Sequence, residues 1–379
     1  MNVKPVKTAV VGCGAISDAY LKTMTTKFKI LDVVACCDHF TAKAEAAAQK
    51  YNLQAMSLDQ IIEDQSIELV VNLTASPAHY QMVKMMLNAG KHVYSEKVLA
   101  TTLEEAKELV ELANAKNLYL GVAPDTFLGS AIQTAKYVVD SGMIGQVTSC
   151  YAALSRDINL FAGLSVNTTI AGGGIAFDVG IYYVTALLSI LGPVKMVTGV
   201  METINPERNH QLVDKLGEPY TISCENVLAG TMVFQSGAIG NLLFDANSII
   251  VIPEKPALVI YGRMGMMYMS DPNLFGGEVK VILKGDSTAF TMPSSHPYLD
   301  ESRGLGVAEM AWSMRQGRTN RASKEMAYHA LEVLHGVGIS SQTGKHYQLA
   351  SDFAIPNALP RGFAGGDVFK AIEESAIAL

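Results

Sequence analysis

The chain has no Cys-x-x-Cys pair, no His-Glu-x-x-His, no block of Lys and Arg, and no apolar run near the ~18 residues that span a bilayer. Each absence removes a class of function. The five cysteines (Cys13, Cys36, Cys37, Cys150, Cys224) are odd in number and support neither a disulfide framework nor a zinc site, so they read as reduced, structural thiols. The eight histidines form no tight cluster with carboxylates, and no metal is expected. A net charge of -7 without a basic patch argues against DNA or RNA as a partner. The start Met1-Asn2-Val3-Lys4-Pro5 leads directly into a strand pattern. A cytoplasmic protein with no membrane association is therefore expected.

What is present points to two buried cores. At 379 residues, 49% of them apolar, the chain exceeds the ~250–300 residues at which single cores stop growing. Its first third alternates short apolar runs with helical patterns: Thr8–Val11 then Ala15–Met24, Val33–Cys37 then Thr41–Tyr51, Leu69–Leu73 then Ala78–Asn88, His92–Ser95 then Leu103–Lys116, and finally Tyr119–Ala123. That rhythm names five strands and implies β-α-β units in a doubly wound parallel sheet of the Rossmann type, expected to hold six.

After Pro124 the pattern changes. One helix, Ser130–Ser141, precedes β-rich stretches at Val147–Leu154, Val194–Glu202, Asn226–Phe234, Ala238–Asp245, Ala257–Gly262 and Val279–Leu283. Helical patterns return at Val179–Leu191, Gly304–Arg315 and Lys324–Ser341. The expected fold is thus an α/β domain over residues 1–124 and an α+β domain over 125–379, the latter built on a large open, mostly antiparallel sheet. The Met-rich segment Met264–Met269 offers that sheet a surface to bury against a second copy, so a homodimer or homotetramer is expected. The segment from Ala358 to Asp367, rich in Gly, reads as a docking arm of open role.

The first strand runs into Gly12-Cys13-Gly14-Ala15-Ile16-Ser17 and a helix. Gly12 suits a tight bend, Gly14 lets backbone N–H groups approach a pyrophosphate at the helix start, and Ser17, where a third glycine is usual, is small enough for close packing. About twenty residues on, the second strand ends at Asp38, placed to accept ribose hydroxyls; a helix-capping aspartate is the alternative. A 2′-phosphate would face that charge, and His39 gives no arginine-like fork to offset it, so NAD is the expected cofactor. The loop carrying Thr74, Ser76, Pro77 and His79 would lie over the phosphates and ribose, although His79 would also suit a surface or capping position.

At Val93-Tyr94-Ser95-Glu96-Lys97-Val98-Leu99-Ala100 the sequence resembles the glucose–fructose oxidoreductase/inositol dehydrogenase/rhizopine catabolism family. The loop Leu73–His79, the stretch Ala123–Gly129, the segment Gly172–Tyr182 and the region from Arg321 to Glu332 extend the resemblance over nearly the whole chain. It implies an interdomain cleft in which a sugar, glycoside or polyol meets the nicotinamide. Glu96 and Lys97 would border the cofactor, and Lys97 would exchange a proton with the reacting oxygen, a task that a depressed pKa near the nicotinamide charge would suit. Asp178 and Tyr182, four residues apart on one helical face, would grip the substrate. The family often has a histidine where Tyr182 stands, and glucose–fructose oxidoreductase-like members carry tyrosine there.

Val98 replaces the family's usual proline, which commonly follows a cis peptide. A cis bond before valine costs ~3–4 kcal/mol. Either that bond is trans and Lys97 is aimed differently, or its surroundings impose the cis form. Asp125, Thr126, Arg156 and Asp157 are further candidate ligands for sugar hydroxyls. Three functions fit: NAD-dependent oxidation of a secondary alcohol, glycoside cleavage by transient oxidation and elimination, and a non-catalytic NAD/sugar sensor.

Overall fold

The computed structural model describes residues 3–160, 162, 168–170, 172–248 and 257–360. The docking arm expected from Ala358 onward lies outside this set beyond residue 360. The first domain runs β1 (Val6–Val11), α1 (Ser17–Thr26), β2 (Leu31–Cys37), α2 (Thr41–Tyr51), β3 (Gln54–Ala55), α3 (Leu58–Glu63), β4 (Leu69–Asn72), α4 (His79–Asn88), β5 (His92–Ser95), α5 (Leu103–Ala115) and β6 (Leu120–Val122). Its strands are parallel in the order β3-β2-β1-β4-β5-β6. All four residues of β4 are buried, as expected of strands covered on both faces. Chain direction across the sheet reverses between β1 and β4, which opens a crevice beyond their C-terminal ends. The strand missing from those runs, β3, is two exposed residues at the edge, too short to leave a periodic signal.

The second domain begins with α6 (Ser130–Asp140) and continues through β7 (Val147–Ser155), α7 (Ile181–Leu191), β8 (Val194–Glu202), β9 (Glu207–Asn209), β10 (Pro219–Thr221), β11 (Val227–Phe234), β12 (Ile239–Asp245), β13 (Leu258–Gly262), β14 (Gly265–Met269), β15 (Val279–Leu283) and β16 (Phe290–Thr291). It closes with α8 (Leu305–Gln316), α9 (Lys324–Thr343) and β17 (Tyr347–Gln348). Nine strands form one sheet in the order β16-β15-β14-β13-β7-β12-β11-β8-β17, antiparallel except for the β7–β12 pair. Strands β9 and β10 form a separate hairpin.

The inner face of this sheet packs on α7 and α9. Gly199 and Gly230 lie in register on adjacent strands, and Val337 of α9 fits over both. The outer face presents Val200, Ile239, Leu243 and Tyr261 to solvent, with Met264 beside them in the β13–β14 turn. The Met-rich strand alternates as a pleat requires: Met267 and Met269 are buried while Met266 is half-buried.

Contacts run across the 124/125 boundary. The segment after β16 returns to the first domain: Val122 N donates to Ala322 O (3.1 Å), and Met310 of α8 packs on Gly121 so tightly that a Cβ there would lie 2.8 Å from its sulfur. Arg315 grips Glu68 through two 2.8 Å hydrogen bonds and also reaches the carbonyls of Lys4 and Pro5. Helix α8 therefore covers the β6 edge of the parallel sheet. Among the described residues no helix is long and apolar enough to cross a membrane, and no group of three or more His, Cys, Asp or Glu is placed to hold a metal.

Candidate active site

The glycine turn is shaped by contact with the backbone of the next crevice strand. Gly12 has φ +101°, and a Cβ on it would stand 2.6 Å from the carbonyl carbon and oxygen of Leu73. Only glycine satisfies both constraints. Gly14 differs, since an added Cβ would meet nothing within 4 Å. It borders open space at the start of α1, whose first turn has no side-chain cap, while Ser17 turns its hydroxyl back to Gly14 O (2.6 Å). An uncapped helix N-terminus beside open space fits a phosphate.

Asp38 faces this turn. Its Oδ2 accepts from Cys13 N (2.7 Å) and its Oδ1 from Phe40 N (2.8 Å). The residue at the α2 N-cap is Phe40, so Asp38 is not a helix cap; it joins the ends of β1 and β2 and keeps acceptor capacity on both oxygens for ribose hydroxyls. His39 is exposed and packs against the edge of Phe40. These residues fit NAD on geometry alone.

Across the crevice, Glu96 N bonds to Asn72 O (2.8 Å), carrying β5 beyond its last paired residue. The Glu96 carboxylate is buried; it accepts from Tyr20 Oη of α1 (2.7 Å) and from Lys97 N (3.2 Å). The Lys97–Val98 peptide is cis. Lys97 Nζ donates to Asp178 Oδ1 (2.8 Å) and Asp178 O (2.7 Å) and stands 5.5 Å from the centre of the Tyr182 ring. Burial opposes the Lys97 charge, but the attraction of Asp178, Tyr182 and Glu96 outweighs it and holds its pKa above that of an ordinary lysine. The depressed pKa that would suit the reaction is thus not set by the chain itself, because the Asp178 carboxylate pulls the other way.

Residues 176–180 form a π-turn leading into α7, an irregularity that often marks functional helices. Asp178 is in that turn and Tyr182 is in the first turn of α7. Glu225 braces the turn from the second sheet: it accepts from Ala176 N (3.2 Å), and burial lifts its carboxyl to about 8 against the pull of neighbouring N–H groups. Arg303 approaches from the segment before α8; burial raises the Tyr182 pKa, and the charges of Lys97 and Arg303 oppose that rise.

Two sequence comparisons decide the lineage. Residues 6–123 match the model of the GFO/IDH/MocA oxidoreductase family, NAD-binding Rossmann fold, and residues 132–268 match its C-terminal domain. The chain belongs to the Gfo/Idh/MocA oxidoreductase family. It is 32% identical over 203 residues to an uncharacterized oxidoreductase, C115.03, of Schizosaccharomyces pombe, covering 52% of this chain and 55% of that one. The chain thus spans about half the length of the first fission-yeast relatives it matches. It is 27% identical over 358 residues to D-glucoside 3-dehydrogenase of Escherichia coli, covering 92% and 99% of the two chains. Levoglucosan dehydrogenase in complex with NADH and levoglucosan superposes with a TM-score of 0.77 at 20% identity, over 92% of this chain and 100% of the other, which is a likeness of fold.

Within this Gfo/Idh/MocA frame, the structure brings together Gly12, Gly14, Ala15, Ile16 and Asp38 at the turn, and Lys97, Asp178 and Tyr182 at the far end of the crevice. His79 is neither a surface nor a capping residue. It is fully buried, with Nδ1 2.6 Å from Val98 O and Nε2 2.9 Å from Thr74 O, so it links the cofactor loop to the peptide after Lys97. Burial lowers its pKa. Thr74 is tied to Asn72 Oδ1, and Ser76 and Pro77 form the short 3-10 turn that starts α4.

Asp125 departs from its expected role as a sugar ligand. It is buried beneath the site, and Oδ2 accepts from Gly304 N (3.0 Å) and Gly306 N (2.9 Å), capping the entry to α8. Burial raises its carboxyl to about 7. Thr126 is likewise buried, in a 3-10 turn. Arg156 and Asp157 close β7 and make their contacts within the second domain: Asp157 Oδ1 accepts from Asn159 N and Nδ2, and Arg156 neighbours Tyr183. Tyr20, Glu225 and Arg303 were missed by sequence because each reaches the site over a long chain separation from an unremarkable local pattern.

Proposed function

We propose that this protein is an NAD(H)-dependent oxidoreductase that moves a hydride between the nicotinamide and a secondary alcohol or ketone of a sugar, glycoside or polyol. The observation that carries this reading is the Lys97 ammonium, held by Asp178 and set over Tyr182 at the C-terminal end of β5, across the crevice from the glycine turn.

When bound, NAD supplies the hydride acceptor or donor. The chain's residues manage position and protons. Gly14 and the first turn of α1 cradle the pyrophosphate, and Asp38 holds the adenosine ribose. In the reducing direction the Lys97 ammonium donates its proton to the carbonyl oxygen as negative charge builds there; in the oxidising direction neutral Lys97 takes the hydroxyl proton. Asp178 keeps Lys97 aimed and accepts from a neighbouring substrate hydroxyl. Tyr182 borders the opposite side. The likeness to D-glucoside 3-dehydrogenase over nearly the full chain supports an uncharged sugar or glycoside.

The test incubates purified protein and NAD with sugars, glycosides and inositols, following absorbance at the NADH band and released aglycone. Net NADH formation that Lys97→Ala abolishes supports a dehydrogenase. Aglycone release without net NADH indicates oxidation–elimination. Neither signal across the panel, with Lys97→Ala leaving ligand binding unchanged, points to a sensor and overturns the reading.

We also infer a homodimer or homotetramer buried across the outer sheet face at Val200, Ile239, Leu243 and Tyr261. Light scattering on the eluting protein tests it, with a monomeric mass as the refuting outcome.

A further inference from the structure

His79 stands between two groups that can only accept a hydrogen bond. Its ring, on the first residue of α4, is buried, with Nδ1 2.6 Å from Val98 O and Nε2 2.9 Å from Thr74 O. A neutral imidazole carries one N–H, whereas the cation carries two. Both contacts are hydrogen bonds only when the ring is protonated. In the neutral ring the shorter contact takes the proton: Nδ1 donates to Val98 O, and the bare Nε2 faces the Thr74 carbonyl lone pair against lone pair.

The two carbonyls belong to different parts of the crevice. Val98 follows Lys97, whose N–H is held by the Glu96 carboxylate (3.2 Å) and whose Nζ is held by Asp178 Oδ1 (2.8 Å). Thr74 is tied through its hydroxyl to Asn72 Oδ1 (2.8 Å), and its N lies 2.8 Å from where a Cβ on Gly12 would stand. The ring thus closes a chain of contacts that runs from the glycine turn, through Leu73 and Thr74, to the backbone carrying Lys97. Burial and the Lys97 charge oppose a cationic ring, while the two carbonyls and Glu96 favour it; burial prevails and lowers the His79 pKa below the ordinary 6.5. The ring is therefore neutral at neutral pH.

We propose that His79 is a positioning residue with two separable tasks: Nδ1 holds the Val98 carbonyl and with it the setting of Lys97, and Nε2 fastens the cofactor loop at Thr74 only when the ring is a cation. The Lys97 task rests on the hydride-transfer reading. The Thr74 task makes cofactor affinity depend on a proton. Binding that draws on the fastened loop raises the ring's pKa, so NADH binds more tightly as pH falls through the ring's midpoint, and the gain is lost as pH rises again.

The experiment divides the ring between two amides in the full-chain protein. The amide nitrogen of Asn is as many bonds from Cα as Nδ1, and that of Gln as many as Nε2. His79→Asn therefore keeps a donor at Val98 O, and His79→Gln keeps one at Thr74 O. NADH affinity is measured by fluorescence titration from about pH 5 to 8, and kcat and KM with the best panel sugar. The native protein should bind NADH about fivefold or more tightly at the acid end, the worth of one hydrogen bond. His79→Asn should bind weakly and His79→Gln tightly, each without that slope. Turnover should divide the other way: His79→Gln lowers kcat about fivefold or more, and His79→Asn by less than about twofold.

The native protein labelled with 15N-histidine gives a reading that needs no variant to be active. Its His79 ring, assigned by the signal missing from either variant, should keep a proton on Nδ1 throughout and gain one on Nε2 only on acidification. A proton resting on Nε2 alone overturns the proposal, as does the native pH slope persisting in both variants or equal losses of kcat from Asn and Gln. If no panel sugar reacts, the hydride-transfer reading fails, while the NADH titrations and the ring signals still decide what His79 holds.

Discussion

Replacing Asp178 with asparagine isolates the charge that holds Lys97. The substitution keeps an oxygen acceptor of similar size near Nζ, 2.8 Å away in the native pair, and removes one negative charge. Unit charges ~4 Å apart attract by about 4 kcal/mol at an effective dielectric near 20. The two side chains are 17% and 26% exposed, so solvent screens part of this, and the 2.7 Å bond from Nζ to the Asp178 carbonyl is retained. The expected net loss is about 1.5–3 kcal/mol, or roughly one to two pH units at ~1.36 kcal/mol per unit. Because the carboxylate favours the ammonium, its removal lowers the Lys97 pKa. Alcohol oxidation needs neutral Lys97, so the rising alkaline limb of kcat/KM should move to lower pH by that amount. Ketone reduction, which needs the ammonium, should begin to fail at correspondingly lower pH. Initial rates in both directions over roughly pH 6–11 read this shift, and 15N titration of the Lys97 Nζ resonance reads it without a substrate. A limb that stays in place or moves upward refutes the assigned electrostatics.

Two further outcomes follow from buried geometry. The Asp125 carboxyl titrates at about 7 in the fold against 3.8 ordinarily, so the stability it contributes is complete below the lower value and is lost as pH rises through the higher one. Asp125→Asn keeps an acceptor for Gly304 and Gly306 and should be more stable to unfolding than the native protein at about pH 8, by on the order of a few kcal/mol, with that advantage gone near pH 4; a variant less stable at the higher pH contradicts the burial account. Gly12→Ala should lower both the melting temperature and NADH affinity, since its Cβ strikes the Leu73 backbone, whereas Gly14→Ala should leave melting nearly unchanged and weaken NADH binding about tenfold or more through lost phosphate approach. Fluorescence titration with NADH and thermal melts separate the two, and equal effects at both glycines would contradict the placement of the turn.

Local periodicity made most of this architecture legible. The longer parallel strands are largely apolar and punctuated by helical patterns, so their runs matched the observed elements to within a residue or two. The glycine turn, Asp38, Lys97, Asp178 and Tyr182 were legible because each sits at a strand end or helix start with a recognisable pattern. What escaped was long-range. Nothing near Arg303 in the chain announces that Gly304 and Gly306 will be held by Asp125 and carry the Arg303 charge towards Tyr182. Asp125 itself, at a loop beyond a parallel strand, looked like a ligand; its burial depends on α8 returning from far along the chain. The helical pattern starting at Val179 took in only the end of the π-turn at 176–180, because an apolar pattern does not report an extra residue per turn.

The return of α8 to the β6 edge also governs how the molecule is made. A ribosome releases the whole parallel sheet well before it has synthesised residues 305–323, an interval on the order of ten seconds or more at ordinary elongation rates. During that time Tyr94, Gly121 and Val122 lack the helix that covers them in the finished protein. Vectorial synthesis therefore cannot complete the cofactor domain first. It must wait in a partly covered state, with the β6 edge open to stray strand pairing, until the later helix arrives. A polypeptide ending at residue 124 should consequently accumulate as aggregate, however well its strands are patterned.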